Sequence, residues 1–137
     1  MSSDTVTTDR LEIADLFTRL ALLLDDRRWD DAGTVYTGDA TVLSPRGGEL
    51  RGVDALAGFL RGTLTEGERT QHLTTDILVD VHGDRAVASA NSLVHFYRDG
   101  RAPHRTGGLR LEHTAVRTPA GWRFDEARIT PGWIRED

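Results

Sequence analysis

The spacing of apolar residues changes at Glu66-Gly67-Glu68. Before this point apolar side chains recur every three to four residues, as on one face of a helix, and after it the chain has the composition and turn signals of strands. The first part contains three predicted helices and a short strand, at residues 10–25, 29–36, 53–64 and 40–43. The second part contains four predicted antiparallel strands, at residues 70–81, 85–98, 109–117 and 122–129. Helices followed by strands are typical of an α+β domain in which the helices cover one sheet face.

The predicted sheet is too long to lie flat, so we expect it to curve. A glycine pair at Gly107-Gly108 indicates a bulge that would assist the curvature. A strongly curved antiparallel sheet with three N-terminal helices packed in its concave face leaves an internal cavity. The expected fold is therefore a cone-shaped α+β barrel with a cavity suited to a small molecule.

Length and composition limit the classes of function. The 137 residues predict a single domain, 1–137, with a flexible N-terminus at residues 1–8 and a C-terminal tail at 131–137, where Trp133 could form a lid. A net charge of −5, with arginines dispersed among acids, argues against a nucleic-acid partner. No membrane span or secretory signal is recognised, which favours a cytoplasmic location. The absence of cysteine excludes disulfides, thiolate nucleophiles and cysteine-based zinc sites.

The longest predicted strand carries His72 near its start. Alternation would place His72, Thr74, Asp76 and Leu78 on one face and Leu73, Thr75, Ile77 and Val79 on the other. The sequence leaves open whether the polar face points inward, as a site, or outward to solvent. At the end of the first helix, Asp25 falls at the margin of the apolar stripe and is the carboxylate that could face inward.

Other candidate residues lie in the helices and the sheet. Asn91, His95 and Tyr97 share strand parity, so they are one prediction for the pocket wall. Tyr97 or Tyr36 could donate a hydrogen bond to a substrate oxygen, or could simply bury its ring. Core or cavity wall is the interpretation for four aromatic side chains, Trp29, Phe17, Phe59 and Trp122. His104 and His113 could also face the cavity, but the histidines lack short metal-ligand spacing, and no metal or cofactor is predicted.

The order of elements and several motifs resemble the SnoaL-like and scytalone dehydratase-like branch of the nuclear transport factor 2-like superfamily, over most of the chain. The residues that carry the resemblance are Leu24-Asp25 with Trp29-Asp30, Gly38-Asp39-Ala40, Gly52-Val53-Asp54-Ala55-Leu56, Thr70-Gln71-His72, Gly83-Asp84-Arg85-Ala86 and Arg117-Thr118 with Gly121-Trp122-Arg123-Phe124.

The resemblance implies a pocket dyad of Asp25 and His72. A buried carboxylate that accepts the Nδ1–H of an imidazole fixes its tautomer and leaves the other nitrogen as a base near neutral pH. The alternative is that Asp25 caps the helix or pairs with Arg28 while His72 is a satisfied core residue. The chain departs from the dehydratase pattern, because Leu24 and Leu43-Ser44 stand where tyrosines are expected and no second pocket histidine falls at Gly108 or Leu109.

The favoured function is cofactor-independent chemistry on a small, apolar, polyketide-like or aromatic carbonyl compound, by proton abstraction. Dehydration, isomerisation and cyclisation remain open, and a lysine-free composition rich in arginine and aspartate suits secondary metabolism. The alternative is a non-catalytic module that binds a hydrophobic ligand or dimerises. A homodimer is expected through the outer sheet face.

Overall fold

The computed structural model describes residues 3–137, which form an α+β domain of N-terminal helices and one curved, six-stranded sheet. The helices are α1 Ser3–Asp25, a 3-10 helix Trp29–Thr34 and α2 Val53–Arg61. The strands are β1 Tyr36–Ser44, β2 Gly48–Arg51, β3 Arg69–His82, β4 Arg85–Tyr97, β5 Arg105–Thr118 and β6 Gly121–Glu136. Within residues 3–137, no helix is both long and apolar enough to cross a membrane.

The strand order in the sheet is β2-β1-β6-β5-β4-β3. Strands β3 to β6 form the predicted antiparallel meander. The prediction of a fully antiparallel sheet is wrong, because β1 pairs with β6 in parallel and the sheet is mixed. The reason is the connection: β1 forms a hairpin with β2, and the chain then passes through α2 to the far edge of the sheet before the meander begins.

The N-terminal half differs from the prediction at its element boundaries. Helix α1 begins at Ser3, so Asp9 lies inside the helix and is not its N-cap. Residues 3–8, predicted to be flexible, are helical, and residues 1–2 lie outside the described part. Gly38 and Asp39, expected to close the second helix, belong to β1, and the short strand β2 was not predicted.

Strand β3 contains a bulge that reverses which side chains face inward. The register against β4 shifts between Thr75 and Leu78, and Asp76 has a φ of 54°. Thr70, His72 and Thr74 are buried or half-buried before the bulge, and Ile77 and Val79 take that face after it. The predicted unbroken alternation is therefore wrong beyond Thr75, since a bulge inserts one extra residue. The predicted apolar face is also wrong at its start, because Leu73 is 43% exposed.

Strand β6 extends to Glu136, so most of the predicted C-terminal tail pairs with β5. Gly108 pairs with Trp133 and Leu109 with Pro131, which leaves Gly132 as an extra residue in β6. A register shift therefore occurs beside the glycine pair, but the extra residue is in β6, whereas Gly107 and Gly108 continue β5 and pair regularly with β4. The Trp133 indole lies on Gly108, where a Cβ atom would be 2.3 Å from Nε1.

The core lies between α1 and the inner sheet face. Its largest fully buried side chains are Trp122, Phe17, Phe124, Ile13, Val35 and Val42. Burying each large apolar side chain stabilises the fold by roughly 1.5–3 kcal/mol. This packing fixes α1 against β3 and β6, and thereby fixes the position of its last residue.

Candidate active site

The end of α1 places Asp25 over the start of β3. The helix ends in a Schellman motif, in which the N–H of Arg28 donates to the carbonyl of Leu23 at 2.9 Å and the N–H of Arg27 donates to that of Leu24 at 3.3 Å. Arg27 takes the left-handed conformation that this turn requires, with a φ of 59°. Asp25 is the last helical residue before this turn.

Asp25 accepts three hydrogen bonds from β3. Its Oδ1 is 2.6 Å from Nδ1 of His72 and accepts from the Thr70 hydroxyl at 3.1 Å, while Oδ2 accepts the backbone N–H of His72 at 2.9 Å. A carboxylate at a helix C-terminus is disfavoured by the helix dipole by about 0.3–1 kcal/mol. These bonds offset that cost and hold the imidazole. Because a carboxylate only accepts, the geometry assigns the proton to Nδ1 and leaves Nε2 as an acceptor.

The pair is largely but not completely covered. The side chains of His72 and Asp25 are 16% and 20% exposed, and His72 lies in the wall of a pocket of about 300 Å³. A volume of this size is at the lower end for small-molecule sites. The imidazole is therefore within reach of a molecule in the pocket.

The pocket wall is mainly apolar. The apolar and glycine contributions are Leu24, Trp29, Pro45, Leu60, Leu64, Val94, Phe96, Gly107, Leu109, Ile129, Pro131, Trp133 and Ile134. The polar contributions are Ser44, Arg46, Thr63, Thr70, His72 and Arg105. Leu24, Ser44 and Leu109 are among the positions at which the sequence departs from the dehydratase pattern, so the wall has no phenol or second imidazole there.

Of the predicted substrate-binding residues, only Trp29 lines this pocket. Tyr97, His95 and Asn91 do not, because their β4 neighbours Val94 and Phe96 have the inward parity. On their own face, His95 Nδ1 is 2.9 Å from the Thr106 hydroxyl, and the Asn91 amide donates to Asp76 at 2.9 Å. The prediction that these three residues line the site is therefore wrong.

Three other predicted aromatic residues belong to the core. Phe17 and Trp122 are fully buried, and Tyr36 packs on Phe124 with ring centroids 6.1 Å apart. Tyr36 is buried in the core and does not line the pocket, and this burial raises the pKa of its phenol. Phe59 is half-buried and packs beside Gly47.

The two other candidate histidines, His113 and His104, also lie outside the pocket. His113 is buried between Phe17, at a centroid distance of 5.3 Å, and Phe124, at 4.7 Å. Burial lowers the pKa of His113 to about 4, with the backbone of Glu112 opposing part of the effect. His104 Nε2 is 2.7 Å from the buried carboxylate of Glu68. In the part of the chain that the structure describes, no three potential ligands converge on a metal site.

Most residues of the pocket wall were not predicted as site residues, and two of the polar ones, Arg105 and Thr70, could have been found. Arg105 lies in β5 before the predicted strand start at 109, so it was not considered as an inward residue. Arg105 is four residues before Leu109, so strand alternation would have placed both side chains on the same face of β5. Thr70 was quoted only as part of a motif, although it shares the parity of His72.

Several solved structures of other proteins have the same fold as this chain. A protein from Kribbella flavida is 24% identical over 95% of each chain, with a TM-score of 0.84. A hexachlorocyclohexane dehydrochlorinase, LinA type 2, is 15% identical over 99% of this chain and 93% of its own, with a TM-score of 0.87. A candidate scytalone dehydratase from Novosphingobium aromaticivorans is 18% identical over 99% and 92%, with a TM-score of 0.86.

At these identities the similarity shows the fold alone, which is that of the nuclear transport factor 2-like proteins. No curated protein matches the sequence. The profile of the SnoaL-like domain matches residues 5–128. The chain therefore belongs to the SnoaL-like domain family.

Proposed function

We propose that this protein is a cofactor-independent enzyme that removes a proton next to a carbonyl group in a small, apolar substrate. The observation that carries the proposal is the 2.6 Å contact between His72 Nδ1 and Asp25 Oδ1 at the wall of a mainly apolar pocket. His72 is the base, and Asp25 is its positioning residue. The two similar structures that bear the names of a dehydrochlorinase and a dehydratase support this class of reaction.

In the proposed step, Nε2 of His72 takes the proton and the C–H electron pair moves into the carbonyl group to form an enolate. Asp25 keeps the imidazole in the required tautomer and stabilises the imidazolium that results. In a dehydration, the enolate reforms the carbonyl, the C–O bond of a β-hydroxyl breaks, and Nε2 returns its proton to the departing oxygen as water. In an isomerisation the proton returns to another carbon.

The substrate class follows from the pocket wall. Leu24, Trp29, Leu60 and Phe96 offer contacts for aromatic or polyketide-like rings. An apolar wall also strengthens the electrostatic interaction between the imidazolium and the enolate, because few water molecules screen it.

The test is deuterium exchange at the carbon next to the carbonyl, followed by NMR in deuterium oxide with phenylacetone, a tetralone and a β-hydroxy aryl ketone. The wild type should accelerate exchange or water loss in at least one of them. His72→Gln should reduce the rate by about 10²–10⁴-fold, the usual contribution of a general base. His95→Gln, on the opposite sheet face, is the matched control and should retain the rate. Equal rates in wild type and His72→Gln would refute the assignment.

A non-catalytic binding protein is the second candidate. It is favoured by Leu24, Ser44 and Leu109 in the pocket wall, where the tyrosines and the second histidine of the dehydratase pattern are absent. Binding of these ketones without exchange in any of them would establish this alternative.

We also propose that the outer face of the sheet forms a homodimer. Leu73 and Leu93 are directly opposite each other on β3 and β4 and are 43% and 38% exposed. Light scattering of the wild type and of Leu73→Lys would detect the dimer and its loss.

A further inference from the structure

We propose that Arg105 is an anion-binding subsite of the pocket, so that the ligand is an apolar molecule with a carboxylate or similar acidic group. The inference rests on the proposed function only in that both concern the same pocket. His72 acts on one end of the ligand, and Arg105 holds the other.

Arg105 lies in the pocket wall with its side chain largely covered. Only 16% of the side chain is exposed, and its Nε has no hydrogen-bond partner within residues 3–137. The guanidinium lies 3.8 Å from the centroid of the Phe96 ring. Stacking uses the face of the guanidinium and leaves the N–H donors in its plane available to a planar acceptor such as a carboxylate.

The positive charge of Arg105 is incompletely paired in the protein. Its nearest carboxylate belongs to Glu136, which is 3.8 Å away and has a side chain 62% exposed. Glu68 is close enough for the Arg105 charge to act on it, but its carboxylate is bound by His104 at 2.7 Å. A covered cation in a mainly apolar wall is costly without a close counter-ion. An anionic ligand group would supply one.

The register gives the spacing between the two ends of the ligand. Thr70 pairs with Phe96 in β4, and Phe96 pairs with Arg105 in β5. Arg105 is therefore two strands away from Thr70, or roughly 10 Å between backbones, and His72 lies two residues further along β3, which adds an offset of roughly 7 Å along the strand direction. A ligand of one ring with a short chain can reach both, and a molecule of that size fits a pocket of about 300 Å³.

The test is calorimetric binding of phenylbutanoate and of its neutral analogue phenylbutanamide. The wild type should bind the carboxylate at least about tenfold more tightly than the amide, because charge-assisted hydrogen bonds are the stronger class. Arg105→Met should lose this preference, and Arg105→Lys should keep part of it. Arg110→Gln, in the same strand but exposed, is the matched control and should keep all of it.

Two outcomes would overturn the subsite. Equal affinity for both compounds in the wild type, or failure of the carboxylate to bind at millimolar concentration, would exclude an anion preference without reliance on any variant. Loss of the preference in Arg46→Gln but not in Arg105→Met would assign it to the pocket's exposed arginine instead. The proposed base is judged separately, because His72→Gln should abolish exchange and leave the carboxylate preference unchanged.

Discussion

Helix α1 presents two aspartates to the sheet, Asp9 near its start and Asp25 at its end, sixteen residues or roughly 24 Å apart. Asp9 accepts from both terminal nitrogens of Arg117, at 2.7 and 3.0 Å, and from the indole N–H of Trp122 at 3.1 Å. Its side chain is 3% exposed, whereas that of Asp25 is 20% exposed beside a pocket. The same residue type is a sealed structural group at one end of the helix and an accessible one at the other.

The partner accounts for the difference. The Arg117 hydrogen bonds hold the pKa of Asp9 below its usual range despite burial, and a guanidinium does not release its proton. His72, in contrast, uses one ring nitrogen to bind Asp25 and lies in the wall of the pocket. The histidines show the same contrast, because His113 is sealed between Phe17 and Phe124 while His72 borders the pocket.

The largest expected effect concerns Asp25, at the C-terminal end of α1. Asp25→Asn should lower the exchange rate by about 10³-fold, because an amide can donate to Nδ1 and favour the wrong tautomer. Its cost in unfolding free energy should be about 1–2 kcal/mol, since the hydrogen bonds to the carboxylate are weakened. Exchange assays and urea denaturation measure the two effects. Asp26→Asn, at the exposed neighbouring position, should change neither the exchange rate nor the unfolding free energy. An equal loss of exchange in Asp25→Asn and Asp26→Asn would show that Asp25 has no specific role.

The next effect concerns the buried His113 and the dependence of folding stability on pH. Because burial lowers the folded-state pKa of His113 from 6.5 to about 4, the unfolded chain takes up a proton first as the pH falls. The stability contributed by neutral His113 is therefore complete above about pH 6.5 and is lost progressively toward pH 4, by about 3 kcal/mol in all.

His113→Leu should flatten this part of the pH profile in urea denaturation. The pKa values of Asp9 and Glu68 are held low, so their contributions are lost only at more acid pH. The window from pH 7 to 5 is thus the informative one. An unchanged slope in His113→Leu would show that this residue is not the source of acid sensitivity.

A smaller effect is expected from removal of the sealed carboxylate. Asp9→Ala should destabilise the fold by about 2 kcal/mol, because the buried indole N–H of Trp122 would lose its acceptor. Thermal or urea unfolding measures this loss, with Asp15→Ala on the exposed side of the same helix as control. The exchange rate per folded molecule should stay within twofold. A large fall in that rate would mean that the two ends of α1 are coupled.

The smallest effect concerns the turn that follows Asp25. Arg27→Gly should remove the conformational strain of a positive φ. It should also remove the hydrogen bond that the Arg27 guanidinium donates to the backbone carbonyl of Glu68 at 2.8 Å. These opposed terms should leave the unfolding free energy within about 1 kcal/mol of wild type. Activity should be retained if the Schellman motif alone positions Asp25. A strong loss of exchange would show that the Arg27 side chain is also needed.

Apart from the short strand β2, the sequence was sufficient for the order of elements, because helical and strand periodicities are local signals. The parallel pairing of β1 with β6 and the contact between Asp25 and His72 are not local. Periodicity placed Asp25 only at the margin of a stripe, and the resemblance to a family supplied its partner.

The errors in the predicted pocket have a physical cause. In β4, both faces carry small, apolar and polar residues, so composition did not indicate that Val94 and Phe96, and not His95 and Tyr97, point inward. Arg105 was missed because the glycine pair obscured the start of β5. In both cases inter-strand register decided the outcome, and register depends on contacts across the sheet.

The bulge at Asp76 divides β3 into two parts with separate duties. Inward residues before it, Thr70 and His72, line the pocket, whereas Ile77 and Val79 after it pack on the hydrophobic core. Substitutions in the first part can therefore alter the pocket wall without disturbing the packing that maintains the fold. Such a separation makes the pocket free to diversify during evolution while the scaffold stays constant.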